Sequence, residues 1–216
     1  MWILDLSRET MTKLTYGATE ERQPVWSRDG RQILFVSNRG GSPQIYVMNA
    51  DGSNVVRLTD NAAYDSKPTW SPNGAKIAFM SDRNGGNIHI MVMNADGSNV
   101  TALTSGTSTD ALPAWSPDGG KIAFVRQTTC YDEWYYSYWC HNIAVMNADG
   151  SAVTVFESEV SDTEPTWSPD GKWIAFESGV CGYYYCNSHG IWAVRPDGSG
   201  RTRLLKGEFY NPTWRP

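Results

Sequence analysis

Basic excess is missing from this chain: 18 Lys and Arg stand against 23 Asp and Glu, a formal net charge of −5. Nucleic acids and anionic membrane surfaces attract basic faces, so neither is an expected partner. Long apolar runs are missing too. None approaches the roughly 20 residues of a membrane-spanning helix, and no basic stretch leads into an apolar core as an export signal would. Trp2-Ile3-Leu4-Asp5-Leu6 reads instead as the middle of a repeat. Catalytic signatures are equally scarce: there is no Gly-x-Ser-x-Gly elbow, no phosphate-cradling Gly-Lys-Ser/Thr loop and no His-Glu-x-x-His helix. Of the three histidines, His89 falls in a predicted strand and reads as a satisfied framework residue. The expectation is a protein that is not an enzyme, with a carboxylate pair such as Glu133 and Asp132 as the glycosidase alternative.

What is present is a unit that returns five times: Pro24-Val25-Trp26-Ser27-Arg28-Asp29-Gly30, Pro68 to Gly74, Pro113 to Gly119, Pro165 to Gly171, and the shorter Pro212-Thr213-Trp214-Arg215-Pro216. The prolines are 44, 45, 52 and 47 residues apart. A period in the forties, made of short apolar runs punctuated by Asp-Gly and Asn-Gly turns, is that of a four-stranded propeller blade. Within each unit, Pro-x-Trp-Ser predicts a first strand with proline at its start. Pro-Asp-Gly then turns the chain into a second strand: Gln32 to Ser37, Lys76 to Ser81, Lys121 to Arg126, Lys172 to Ser178. The third strand is Ile45 to Met48, Ile90 to Met93, Ile143 to Met146 and Ile191 to Val194. It leads into Asn-Ala-Asp-Gly-Ser at Asn49, Asn94 and Asn147, where Gly tolerates the positive φ of a tight hairpin. A short fourth strand closes the unit, as in Arg57-Leu58-Thr59. The Asp-Gly-Ser turns resemble fragments of calcium loops but lack the full ligand spacing and a terminal Glu, so they are read as hairpin turns.

Pro-x-Trp-Ser-Pro-Asp-Gly-Lys-x-Ile-Ala-Phe followed by Ile-x-Val-Met-Asn-Ala-Asp-Gly-Ser resembles the TolB-like, or PD40, β-propeller repeat, WD40-like in plan. The resemblance covers nearly the whole chain and implies an all-β propeller of four-stranded antiparallel blades, with residues 1–216 as one such domain. It says little about function, because propellers host many unrelated activities. Trp2 to Leu6 and Met11 to Thr15 supply third and fourth strands and the C-terminus supplies one first strand, for nineteen strands rather than twenty. A five-bladed ring with an incomplete closing blade is therefore expected, the competitor being a segment of a larger ring left open or completed by another chain.

Chemistry concentrates between strands two and three. In the first two full units that connection is ordinary, whereas Gln127 to Asn142 and Gly179 to Gly190 are long and hold all four cysteines. Two cysteines per loop suggest local disulfides, Cys130 with Cys140 and Cys181 with Cys186, although four cysteines allow three pairings. Zinc held by Cys130, Cys140, His141, Cys181, Cys186 and His189 is the alternative. Disulfides imply an oxidising, extracellular or periplasmic setting. The same loops carry nine aromatic rings: Tyr131, Trp134, Tyr135, Tyr136, Tyr138, Trp139, Tyr183, Tyr184 and Tyr185. Large amphipathic rings suit a glycan or protein ligand, with His141 and His189 as polar contacts; the plainer alternative is that they pack over the blades. Glu21, Asp65, Asp110 and Asp162, each three residues before a blade proline, are expected around one mouth of the channel. There they would hold Ca²⁺ or a basic peptide end, or simply cap the blade connection. The expected function is a non-catalytic binding module without a resident cofactor. The alternative is a spacer or assembly subunit that associates with itself through its aromatic loops and chain ends.

Overall fold

The short apolar runs between turn residues form strands throughout, and the computed structural model, which describes residues 1–16, 19–131, 137–158, 160–181, 186–207 and 209–214, contains no helix among them. Side chains are described for these residues except Tyr131, Tyr138, Val180, Cys181 and 186–188. Four antiparallel four-stranded sheets follow one another along the chain. The first blade is β3 (Glu21–Trp26), β4 (Gln32–Ser37), β5 (Gln44–Asn49) and β6 (Val56–Arg57). The second is β7 (Asp65–Trp70), β8 (Lys76–Ser81), β9 (His89–Asn94) and β10 (Thr101–Ala102). The third is β11 (Asp110–Trp115), β12 (Lys121–Tyr131), β13 (Ser137–Asn147) and β14 (Thr154–Val155). The fourth is β15 (Ser161–Trp167), β16 (Ile174–Cys181), β17 (Cys186–Val194) and β18 (Thr202–Lys206). Ahead of them, β1 (Trp2–Asp5) and β2 (Thr10–Lys13) pair only with each other.

Successive blades pack face to face, and the core lies between them. Strand three sends alternate residues to its two neighbours. Ile45 and Val47 join Leu34 and Leu58 against Phe79 and Met93 of the second blade, while Tyr46 and Met48 meet Met1, Ile3 and Leu14. The step recurs between the second and third blades, around Phe124 and Met146, and between the third and fourth, around Phe176 and Val194. Turn glycines tighten these contacts. In the Asn-Ala-Asp-Gly-Ser turn, Gly97 has φ +86° and an added Cβ would lie 2.7 Å from the Leu58 carbonyl oxygen of the preceding blade. Positive φ and close approach both demand glycine there.

Strand one departs from expectation in an informative way. It starts about three residues before the proline rather than at it, and the proline sits inside the strand at a bulge: Arg22 pairs with Val36 and Val25 with Leu34, so Gln23 and Pro24 together face one partner residue. The same shift occurs at Pro68, Pro113 and Pro165. A bulge leaves a residue out of the ladder, so the missing proline N–H costs nothing. The residue before each proline is left-handed although none is glycine: Gln23, Lys67, Leu112, Glu164 and Asn211, at φ 50–55°.

A five-bladed closure is not what the described residues form. They make four complete blades and the two-stranded β1–β2 sheet, and Pro212 to Trp214 lie outside any strand. In a blade ordered one to four, strand one bonds only to strand two. Among the described residues β1 is hydrogen-bonded to β2 alone. Trp214 nonetheless keeps the role of a blade tryptophan, donating its indole N–H to the Thr166 carbonyl, as Trp167 does to Ala114.

Candidate functional site

Where they are described, the two long connections run as strands rather than loops. β12 and β13 continue in register past the end of their blade, from Gln127 opposite His141 to Tyr131 opposite Ser137. β16 and β17 also continue, through a register shift between Ser178 and Val180, to Cys181 opposite Cys186. Thr128, Thr129, Tyr131, Tyr138 and Trp139 suit this, since β-branched and aromatic residues favour the pleated conformation. Both hairpins join strands two and three, so these arms rise from neighbouring blades on one face, and the first touches β15 where His141 meets Ser161. Their tips, with Asp132, Glu133, Trp134, Tyr135, Tyr136, Tyr183, Tyr184 and Tyr185, lie outside the described residues, as do the side chains of Tyr131, Tyr138, Cys181 and Cys186.

Cys130 and Cys140 are joined by a disulfide, Cα atoms 5.8 Å apart. Zinc bound through these two thiolates is thereby excluded, and the described residues contain no group of three or more His, Cys, Asp or Glu placed to hold a metal ion. Trp139 beside the bridge is 66% exposed. His141 is half-buried with Nδ1 3.5 Å from the Ser161 hydroxyl, and burial holds its pKa below the ordinary histidine value. His189 packs over the opposite strand of its arm, where a Cβ on Gly179 would come within 2.9 Å of its Nδ1. His89 is buried as expected, but its Nδ1 has no hydrogen-bond partner among the described residues.

The four acids before the prolines are not a ring around an open mouth. Asp65, Asp110 and Asp162 are fully buried, and an arginine holds each of the four. Arg126 grips Asp110 with two bonds, Nε to Oδ1 at 2.7 Å and Nη2 to Oδ2 at 2.8 Å. Arg83 reaches Asp65 at 2.7 Å and Arg39 reaches Glu21 at 3.0 Å. Each guanidinium also lies over a strand-two phenylalanine, Arg83 over Phe79 at 5.2 Å and Arg126 over Phe124 at 5.4 Å. In the fourth blade, strand two offers no such arginine, and Arg201 comes from the segment before β18 to hold both oxygens of Asp162. Burial raises the Asp162 pKa even so. Burial also pushes Glu21 up, but hydrogen bonds from Thr19, Thr15 and Arg39 more than offset it and leave the carboxyl below its usual range. Ser37-Asn38-Arg39 and Ser81-Asp82-Arg83 were the sequence signal for these partners.

The channel itself is lined one residue before the prolines, by Gln23, Lys67, Leu112 and Glu164, around a cavity of about 230 Å³. Lys67 and Glu164 meet across it at 3.1 Å, and the Gln23 carboxamide accepts the Lys67 backbone N–H at 2.7 Å. The Asp-Gly-Ser turns use their carboxylates internally: Ser53 donates both its N–H and its hydroxyl to Asp51.

Comparison with solved structures gives the same architecture. A protein from Agrobacterium tumefaciens assigned as TolB superposes with a TM-score of 0.71 at 23% identity, covering 94% of this chain and 68% of that one. TolB from Acinetobacter baumannii gives 0.71 at 26% identity, with 96% of this chain matching 48% of that one, so the chain spans about half the length of that protein. An oligogalacturonate lyase in complex with manganese gives 0.72 at 16% identity over 96% of this chain and 60% of that one, a likeness of fold alone. The model of the TolB beta propeller domain matches residues 1–130, more than half of the sequence, and the chain belongs to that PD40 family.

Proposed function

We propose that the protein is a non-catalytic binding module working outside the cytoplasm, and that the paired arms of its third and fourth blades take a glycan or a protein. The observation that carries this reading is the first arm: five residue pairs of ladder beyond the blade, cross-linked by Cys130–Cys140, with Trp139 facing solvent. A hairpin without a core of its own loses its order readily. A disulfide limits that freedom, and a stiff aromatic surface binds with little entropic loss. The bridge also supports an oxidising compartment. The non-catalytic part rests on the acids before the blade prolines, which are tied to arginines instead of being paired with one another across a cleft.

The test is a glycan array and an affinity pull-down with the wild-type protein, followed by titration of whatever binds against Trp139→Ala. Aromatic anchors at interfaces contribute about 2 kcal/mol or more, so affinity should fall by roughly thirtyfold or beyond. A ligand bound equally well by the variant removes the arm from the reading. Turnover of an arrayed oligosaccharide would overturn its non-catalytic part.

A further inference from the structure

The repeat departs from its own pattern at two neighbouring turns, and both departures border one crevice. Pro72, Pro117 and Pro169 stand second in the turns between strands one and two, where the first blade has Arg28. Asp29, Asp118 and Asp170 stand third, where the second blade has Asn73. Because they join strands one and two, these turns lie on the face away from the arms. Elsewhere the proline of one turn lies against the glycine of the next: an added Cβ on Gly119 would sit 3.5 Å from Pro72 Cδ, and one on Gly171 3.8 Å from Pro117 Cδ. Nothing comes within 4 Å of a Cβ on Gly74, so with Arg28 in place of a proline the step from the first turn to the second stays open. Arg28, Pro72, Asn73, Lys76, Trp115 and Asp118 border a crevice of about 450 Å³ there, within the range of small-molecule sites.

Both departures favour an anion. Arg31 pairs with Asp29 at 3.8 Å and Lys121 Nζ donates to Asn147 at 3.2 Å, whereas the charged groups of Arg28 and Lys76 make no such bond among the described residues. Asn73 Oδ1 accepts the Ser71 hydroxyl at 2.8 Å and the Ala75 N–H at 3.1 Å, as the aspartate Oδ1 does in the sister turns. The Ala75 N–H can only donate, which fixes the place of that oxygen, so Asn73 presents an NH₂ group where its sisters present a second carboxylate oxygen. On a chain of net charge −5, this crevice holds two cations and one carboxylate. The sister crevice between the third and fourth blades, about 430 Å³, has Lys121 with both Asp118 and Asp170, an excess of the opposite sign. We infer that the crevice at Arg28 binds an acidic sugar, one carboxylate on a pyranose ring. Arg28 and Lys76 take the carboxylate, and a single net positive charge matches it better than a doubly charged phosphate ester. Pro72 and Trp115 offer a flat wall to the apolar face of the ring. The Asn73 NH₂ group and Asp118 Oδ2, which accepts no bond among the described residues, serve the ring hydroxyls.

The probe is glucuronate, titrated into the intact protein while the indole N–H resonances of Trp115 and Trp167 are followed by NMR. The Trp115 signal should shift and saturate below about 10 mM, and that of Trp167, which lines the sister crevice, should stay still. Glucose and inorganic phosphate should bind about tenfold more weakly or worse. Arg28→Pro installs the residue of the other three turns at a position that proline favours, so it keeps the fold while weakening glucuronate about tenfold or more. Asn73→Asp, also the sister residue, should weaken it further. A Trp115 signal that does not move would overturn the inference. So would a Trp167 signal that moves with it, unchanged binding in Arg28→Pro, or glucose or phosphate binding as tightly as glucuronate.

Discussion

Removing Arg126 should damage the protein far more than its place near the surface suggests. In Arg126→Ala the Asp110 carboxylate, whose side chain is wholly buried, loses both bonds that hold its oxygens. A stranded buried charge must take up a proton or draw water into the blade, and losing one partner of such a pair costs about 3–5 kcal/mol. For a chain of this size each kcal/mol is worth about 2–4 °C, so melting should fall by roughly 6–20 °C. The reverse deletion is milder. In Asp110→Ala the guanidinium, about one-fifth exposed, turns to water and stays over Phe124, and the loss should be about 1–2 kcal/mol. Arg31→Ala, which breaks a surface pair with Asp29, should cost less than about 0.5 kcal/mol. Urea and thermal unfolding of the two single variants and the double variant close the cycle. Equal costs for Arg126→Ala and Asp110→Ala would refute the reasoning, as would a cost below about 1 kcal/mol for the former, because the burial of the carboxylate could not then be the dominant cause.

Ala152 is left-handed at φ 54°, where the equivalent residues are Asn54, Asn99 and Gly200. Ala152→Gly should therefore raise stability by about 0.5–1 kcal/mol in a urea melt, the relief of the left-handed strain exceeding the added chain entropy of glycine. The Cys130–Cys140 bridge spans ten positions, and replacing both cysteines with serine should cost the arm up to about 2–3 kcal/mol. Hydrogen exchange should accelerate at Thr129 and Trp139 and stay unchanged at Phe124; acceleration throughout the third blade would contradict a local role. Burial depresses the His141 pKa, so the folded protein binds fewer protons there than the unfolded chain. Stability from this residue is full above the ordinary value near 6.5 and falls as pH drops from there through the folded value. His141→Gln should flatten that slope between about pH 7 and pH 5 in thermal melts, and an unaltered slope would show that the ring is not sealed by the fold.

The blades were legible because their determinants are local. A proline, a tryptophan and an Asp-Gly turn recur at a fixed spacing, and the apolar runs between them have only one period to follow. Lys76 to Ser81 and Gln32 to Ser37 are strands with those same boundaries. The arms were misread as loops because cysteine and tyrosine clusters suggest irregular backbone, while the pairing of Thr128 with Cys140 depends on a partner twelve residues away. The acids were located along the chain as a cation ring or as caps of the blade connections, but their arginine partners were not seen, since nothing near Asp162 in sequence announces that Arg201 will cover it. Closure was the least legible feature. It depends on whether Trp214 and Trp2 meet, a question of accumulated blade rotation that no single repeat encodes.

The bulged prolines have a consequence for the hole in the torus. An innermost strand offers its free side to the axis, and a row of unspent amides there would be a template on which any passing extended segment could nucleate. Gln23-Pro24, Lys67-Pro68, Leu112-Pro113 and Glu164-Pro165 interrupt that row at one level in every blade, each with a left-handed residue followed by an imide that has no hydrogen to give. The lumen is thus denied an unbroken run of its own amides, and the Lys67 N–H left at that level is already taken by the Gln23 carboxamide.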